Sequence, residues 1–212
     1  MLDTTYKTNR FKMPLFNICG ISQQRQPFQI ASVFLEGESE ARFTWAFNAL
    51  DDYLSENKLK RPRCIITDRD LGVINALKHH LSFKSIPRLL CRWHINMNVL
   101  AKTTPFFPKA TRRHGLDPER HPTFLAFLEA WNGLVQAPTL TQFDELLAKL
   151  QGSTNGALNY PPDADAYVTN TWVPYKHQFM RCFINNVLHF GHISVTVLTW
   201  TTPPTSHVTS LY

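Results

Sequence analysis

No run of about 18 apolar residues occurs in this 212-residue sequence, and its first residues, with Asp3, Lys7 and Arg10, lack the apolar stretch of a signal peptide. The chain therefore reads as soluble and intracellular, with no membrane partner. Its four cysteines, Cys19, Cys64, Cys91 and Cys182, are scattered and include no Cys-x-x-Cys pair. That argues against a disulfide scaffold and a zinc ribbon, and leaves reduced thiols. There is no Gly-rich loop to cradle a phosphate, no Ser/His/Asp arrangement for nucleophilic catalysis, and no internal repeat. One further absence bears on chemistry: from Ala166 to Tyr212 the sequence contains no Asp or Glu.

What is present suits one large domain, or one domain with an insertion, since an apolar content of 43% can build a core. A formal charge of +6 favours an anionic partner, because each Lys or Arg placed on a phosphate releases condensed counterions.

The first third reads as strands. Residues 13–21 and 28–35 are apolar, the polar stretch 22–27 supplies a turn, and residues 1–11 complete a three-stranded antiparallel meander. Phe43, Phe47, Leu50 and Leu54 then recur at helical spacing in a segment that begins after Gly37 and runs to about Asn57. Residues 64–68 form a short continuous apolar run, the pattern of a strand buried on both faces, followed by a helix over 71–81. A second such strand over 86–91 precedes a helix over 95–102. This order, βββαβαβα, is the core order of a ribonuclease H-like mixed sheet in an α/β protein.

Past residue 103 the character changes. Pro105, Pro108, Pro118 and Pro122 punctuate a basic segment that leads to a helix marked by Phe124, Phe127, Leu128, Trp131 and Leu134. A second helix begins at a capping box made by Thr139 and Gln142. Residues 151–165 read as a loop and 167–188 as helical again, with Pro174 marking a start or a kink. The expected division is a core over 1–103, a helical insertion with its loop over 104–165, a return to the core over 166–191, and an atypical, poorly folded tail over 192–212.

Asp3 and Asp68 each close a short apolar strand. If the first and fourth strands are neighbours, the two acids meet, and paired hard cations held by such carboxylates activate a water or a 3′-hydroxyl against a phosphodiester. Taken singly, an acid at a strand end is a turn former or a helix cap, and Asp70 reads as the cap of the helix that follows. Cys91 and His94 have metal-ligand spacing, but zinc wants four ligands and only His79 and His80 lie near in sequence, so zinc is not expected. The plain alternative packs Cys91 in the strand and lets His94 hydrogen-bond locally. Basic groups interleave with aromatics at Arg10-Phe11-Lys12 and Arg92-Trp93-His94, and Arg112, Arg113 and His114 cluster further on. Such groups can hold phosphates while rings stack on bases, although a solvated loop explains 109–114 equally well. Trp172, Tyr175 and Lys176 read as packing of the last helix.

Several phrases, in order, resemble the catalytic-domain motifs of Mutator-like element (MULE) transposases. They are Asp3-Thr4-Thr5-Tyr6-Lys7-Thr8-Asn9, Gly37-Glu38, Thr67-Asp68-Arg69-Asp70, Leu90-Cys91-Arg92-Trp93-His94-Ile95-Asn96, Asn170-Thr171-Trp172 with Tyr175-Lys176, and His189-Phe190-Gly191. The resemblance spans roughly residues 2–191. It implies a ribonuclease H-like, DDE-type cut-and-paste transposase that uses Mg²⁺ or Mn²⁺. Asp3 and Asp68 would be its first two metal-binding acids, with Cys91 and His94 beside them in the active site. The same resemblance implies DNA as partner, with Lys7, Arg10, Lys12, Arg69, Arg92, Trp93, Arg112 and Arg113 as candidate contacts. It also implies a nuclear location and allows a homo-oligomer.

Members of that family continue from His-Phe-Gly into a polar helix bearing the catalytic Glu. This chain continues His192-Ile193-Ser194-Val195-Thr196-Val197, and no acid follows. Only Met1 and Leu2 precede Asp3, and the flanking zinc-containing DNA-binding segments of such proteins are missing. The expectation is a truncated or decayed copy, impaired in catalysis. Its alternatives are a domesticated non-catalytic DNA-binding or transcription-regulatory protein, a metal-dependent ribonuclease, or a poorly folding fragment.

Overall fold

The computed structural model describes residues 1–5, 9–22, 24, 26–109, 121–152 and 160–189. Lys7, Arg112, Arg113 and the tail 192–212 lie outside the described residues, as does the whole of 110–120.

The architecture is mixed α/β. Strands β1 (Leu2–Thr5), β2 (Leu15–Ile21) and β3 (Pro27–Phe34) form the expected antiparallel meander, with Asp3 opposite Asn17 and Phe16 opposite Val33. Period-2 alternation turns Phe16 and Ile18 inward. There they meet helix α1 (Glu40–Glu56), whose Phe43, Phe47 and Leu54 lie on one face at helical spacing. Phe16 contacts Phe43 and Phe47 edge-to-face, at ring-centre distances of 5.2 and 5.8 Å.

The next four elements also keep the expected order: β4 (Ile65–Thr67), α2 (Leu71–His79), β5 (Arg88–Leu90) and α3 (Arg92–Thr103). Strands β4 and β5 are parallel and their apolar residues are buried, apart from the half-buried Arg88 that opens β5. Helix α2 starts where it does because Asp70 accepts the Val73 N–H at 2.8 Å, the cap expected of that residue. Helix α3 starts three residues before its expected position, with Cys91 as the residue preceding its first turn.

Two expectations need correction. In place of one mixed sheet there are two, a three-stranded antiparallel sheet and a two-stranded parallel one, and β1 packs beside β4 without a shared ladder. The stretch expected as a loop to 165, then helical over 167–188 with Pro174 as a start or a kink, is α6 (Pro162–Thr171), a 3-10 turn (Val173–Gln178) and α7 (Arg181–Ile184), so the helix begins earlier than expected. The start of α6 follows from Pro162, whose missing N–H costs nothing in the first helical turn, and from the exposed Asp163, which complements the positive end of the helix. Pro174 then marks the break.

Helices α4 (Pro122–Gln136) and α5 (Leu140–Gly152) lie between these parts of the chain, and the Gln142 N–H donates to Thr139 Oγ1 at 3.2 Å, as the capping box requires. Trp131, Phe127, Phe143, Val168 and Phe179 join α3 to the later helices in one apolar cluster. A small third cluster of Ile66, Leu89, Cys91 and Ile184 ties α7 to the parallel strands. No helix among the described residues is long and apolar enough to cross a membrane.

Candidate active site

The ladder between β4 and β5 runs one step past both strands, because the Cys91 N–H donates to the Thr67 carbonyl at 2.7 Å. Asp68 and the start of α3 therefore leave the sheet side by side. Strand β1, packed beside β4, brings Asp3 to the same edge. His94, in the first turn of α3, reaches across to it, with Nε2 3.7 Å from Asp3 Oδ1. That is too long for a good hydrogen bond but close enough for a strong charge interaction in a shielded place. Residues 3, 68, 91 and 94 thus lie close together: Cys91 is packed and His94 hydrogen-bonds to it, as the local reading expects, and His94 also faces the acids.

The electrostatics of the cluster are those of acids in want of a cation. Burial is the largest influence on both Asp3 and Asp68 and raises both above the ordinary carboxylate range. The His94 charge pulls both back down, while the Asp68 charge pushes Asp3 up further and Asp70 does the same to Asp68. His94 is raised above its ordinary value, first by hydrogen bonding with the Cys91 thiol and then by the charges of Cys91, Asp3 and Asp68, against an opposing cost of burial. Two carboxylates facing one imidazole leave the site net negative.

Oxygen ligands on a half-buried, net-negative edge fit a hard divalent cation such as Mg²⁺ or Mn²⁺. The fit extends to two carboxylates. Among the described residues no group of three or more His, Cys, Asp or Glu is placed to hold a metal ion. Asp163 is exposed. Asp165 is buried in the helical cluster around α6, and the charges of Asp3, Asp68 and His94 are not among the influences on it. Neither acid completes the pair.

Arg92 is half-buried, and burial lowers its pKa; Trp93 is 41% exposed with its ring edge-on to His94 at 4.8 Å. Both border the cluster. Arg10 and Lys12 sit apart, in the exposed turn between β1 and β2, where Asn9 ties the turn through its side chain to the Met13 carbonyl and Lys12 takes a left-handed backbone conformation (φ 56°). Arg69 leaves the cluster for the helical part of the chain: its guanidinium lies 5.3 Å from the ring centre of Trp172 and 4.7 Å from that of Tyr175. Sequence reading missed this contact and the pairing of His94 with Asp3, because residues so far apart in the chain leave no local signal.

A cavity of about 460 Å³ opens elsewhere, among β2, α1 and β4, lined by Ile18, Phe47, Leu54, Cys64 and Phe83 with Lys60 and Arg63. None of Asp3, Asp68 and His94 lines it, and its walls are mainly apolar. The carboxylate cluster is the better seat for chemistry.

Comparison with known proteins agrees with the motifs. The chain is 32% identical to FAR1-related sequence 5 of Arabidopsis thaliana over 107 residues, 50% of this chain and 13% of that protein. It is 24% identical to FAR1-related sequence 12 of the same plant over 135 residues, 64% of this chain and 16% of that protein. The chain therefore spans less than a fifth of the length of either relative. Residues 1–98, which contain Asp3, Asp68, Cys91 and His94, match the family model of the MULE transposase domain.

Proposed function

We propose that this chain is a transposase-derived, DNA-binding domain of ribonuclease H-like architecture, with metal-dependent strand cleavage and transfer as its ancestral chemistry. The observation that carries the proposal is the meeting of Asp3, from the first strand, with Asp68, from the end of the fourth, beside His94. The element order βββαβαβα and the match of residues 1–98 to the MULE transposase domain support the same reading. In this view residues 1–103 and 166–191 form the core, and 104–165 are a helical insertion.

A bound Mg²⁺ or Mn²⁺ would supply Lewis acidity toward a phosphodiester and a more acidic water or 3′-hydroxyl. The chain's own part is to hold that charge through Asp3 and Asp68, with His94 beside them, and to fix the DNA through Arg69, Arg92 and the exposed face of Trp93. With two carboxylates and no third metal-holding group brought together among the described residues, cleavage falls by several orders of magnitude relative to a three-acid site, and binding is what remains. This observation favours a second reading, a domesticated DNA-binding or transcription-regulatory protein. Both readings place the protein in the nucleus.

The test is fluorescence anisotropy with a labelled DNA duplex, in EDTA and then in Mn²⁺. The proposal expects salt-sensitive binding in EDTA, with log affinity falling linearly in log salt. Absence of binding in both conditions would refute it.

A further inference from the structure

The motifs make Arg69 a candidate DNA contact but do not account for what holds its side chain beside the acid pair. Arg69 follows Asp68 directly, yet it makes no ion pair with Asp68, Asp70 or any other carboxylate among the described residues. Its guanidinium lies instead against the rings of Trp172 and Tyr175, at 5.3 and 4.7 Å, while the residue as a whole is exposed. Trp172 is 2% exposed and fixed in the helical core; Tyr175 is half-buried in the 3-10 turn that follows α6. The bracket thus comes from a part of the chain beyond residues 1–98, and it fixes a cation at the margin of a net-negative cluster.

A guanidinium held by aromatic faces loses little freedom when it binds, and its N–H donors, which lie in the plane of the group, remain directed outward. A planar fork of that kind matches two oxygens of one phosphate. An Arg kept only for packing would bury its donors or satisfy them with a carboxylate, and this one does neither.

We propose that Arg69, positioned by Trp172 and Tyr175, is a phosphate clamp that grips the DNA backbone next to the phosphate facing Asp3 and Asp68. The inference rests on the DNA-binding reading above and adds to it a specific contact and the two residues that position it. Lys in place of Arg69 would keep the charge and lose the stacked fork.

The experiment measures duplex affinity by anisotropy between 50 and 200 mM salt, for the wild-type chain and for Arg69→Ala, Arg69→Lys, Tyr175→Leu and Tyr175→Phe. Removing one phosphate contact lowers the salt slope by about 0.9, and this is expected of Arg69→Ala. Arg69→Lys should restore the slope without restoring the affinity. Tyr175→Leu should weaken binding several-fold at an unchanged slope, Tyr175→Phe should bind as wild type, and Tyr175→Leu should have no further effect in the Arg69→Ala background. Independent, additive losses from Arg69→Ala and Tyr175→Leu would overturn the bracket. A wild-type slope for Arg69→Ala would overturn the clamp alone, whereas a wild-type chain that binds no duplex would overturn the DNA reading and the clamp with it.

Discussion

Asp165 should cost this protein stability at neutral pH. It lies on α6 with 5% of its surface exposed, and neither carboxylate oxygen has a hydrogen-bond partner; Thr169 Oγ1 and Trp172 Nε1, one and two turns further along, are likewise buried and unpartnered. Burial alone pushes its pKa from the ordinary 3.8 up to about 6. A carboxyl whose folded pKa is raised favours the folded state when protonated. Its contribution is therefore fully present below about 3.8 and is lost as pH rises through about 6. At 1.36 kcal/mol per unit the complete loss is about 3 kcal/mol, of which about 1 has already gone at pH 4.5 and about 2 go between pH 4.5 and 8.

Asp165→Asn keeps the shape and removes the ionisation. Urea unfolding of both proteins at pH 4.5 and 8 should show the variant gaining about 2 kcal/mol on the wild type between the two conditions, or about 4–8 °C in Tm for a chain of this size. An Asn variant whose advantage does not change with pH would refute the reasoning, because it would mean that the carboxylate is solvated or paired in the folded protein.

Two further predictions concern the charge cluster in the metal-free protein. The His94 pKa, followed by NMR titration of labelled histidine, should fall in Cys91→Ala and fall less in Asp3→Asn, following the order of the causes that raise it. Because a raised histidine stabilises the fold below about 6.5 and loses that contribution as pH rises through its folded pKa, both variants should lose stability at mildly acidic pH more than at pH 9. Asp70→Ala should cost about 1 kcal/mol in urea unfolding through loss of the α2 cap, whereas Asp70→Asn should keep the cap and lower the Asp68 pKa, since the Asp70 charge is one of the groups that raise it.

The elements legible in the sequence were those written in local signals. Apolar segments separated by a polar turn mark the meander, helical spacing of Phe43, Phe47 and Leu54 marks α1, and the side chains of Asp70 and Thr139 mark the starts of α2 and α5. The start of α6 was also written locally, in Pro162 and Asp163, but the polar composition around them was read as loop. What could not be read were consequences of long-range packing. The separation into two sheets, the reach of His94 to Asp3 and the seating of Arg69 on Trp172 and Tyr175 each join residues distant in the chain. Motif order brought Asp3 and Asp68 together on paper; only the packing of β1 beside β4 brings them to one edge.

The most direct test of the central claim is nicking of supercoiled plasmid in Mg²⁺ or Mn²⁺ by the purified chain, with Asp68→Asn beside it and duplex binding measured on the same preparations. The account predicts DNA binding by both proteins and no nicking that depends on Asp68. Nicking that is present in the wild type and vanishes in Asp68→Asn would contradict it, showing that a third acid completes the site and that the domain still cuts DNA.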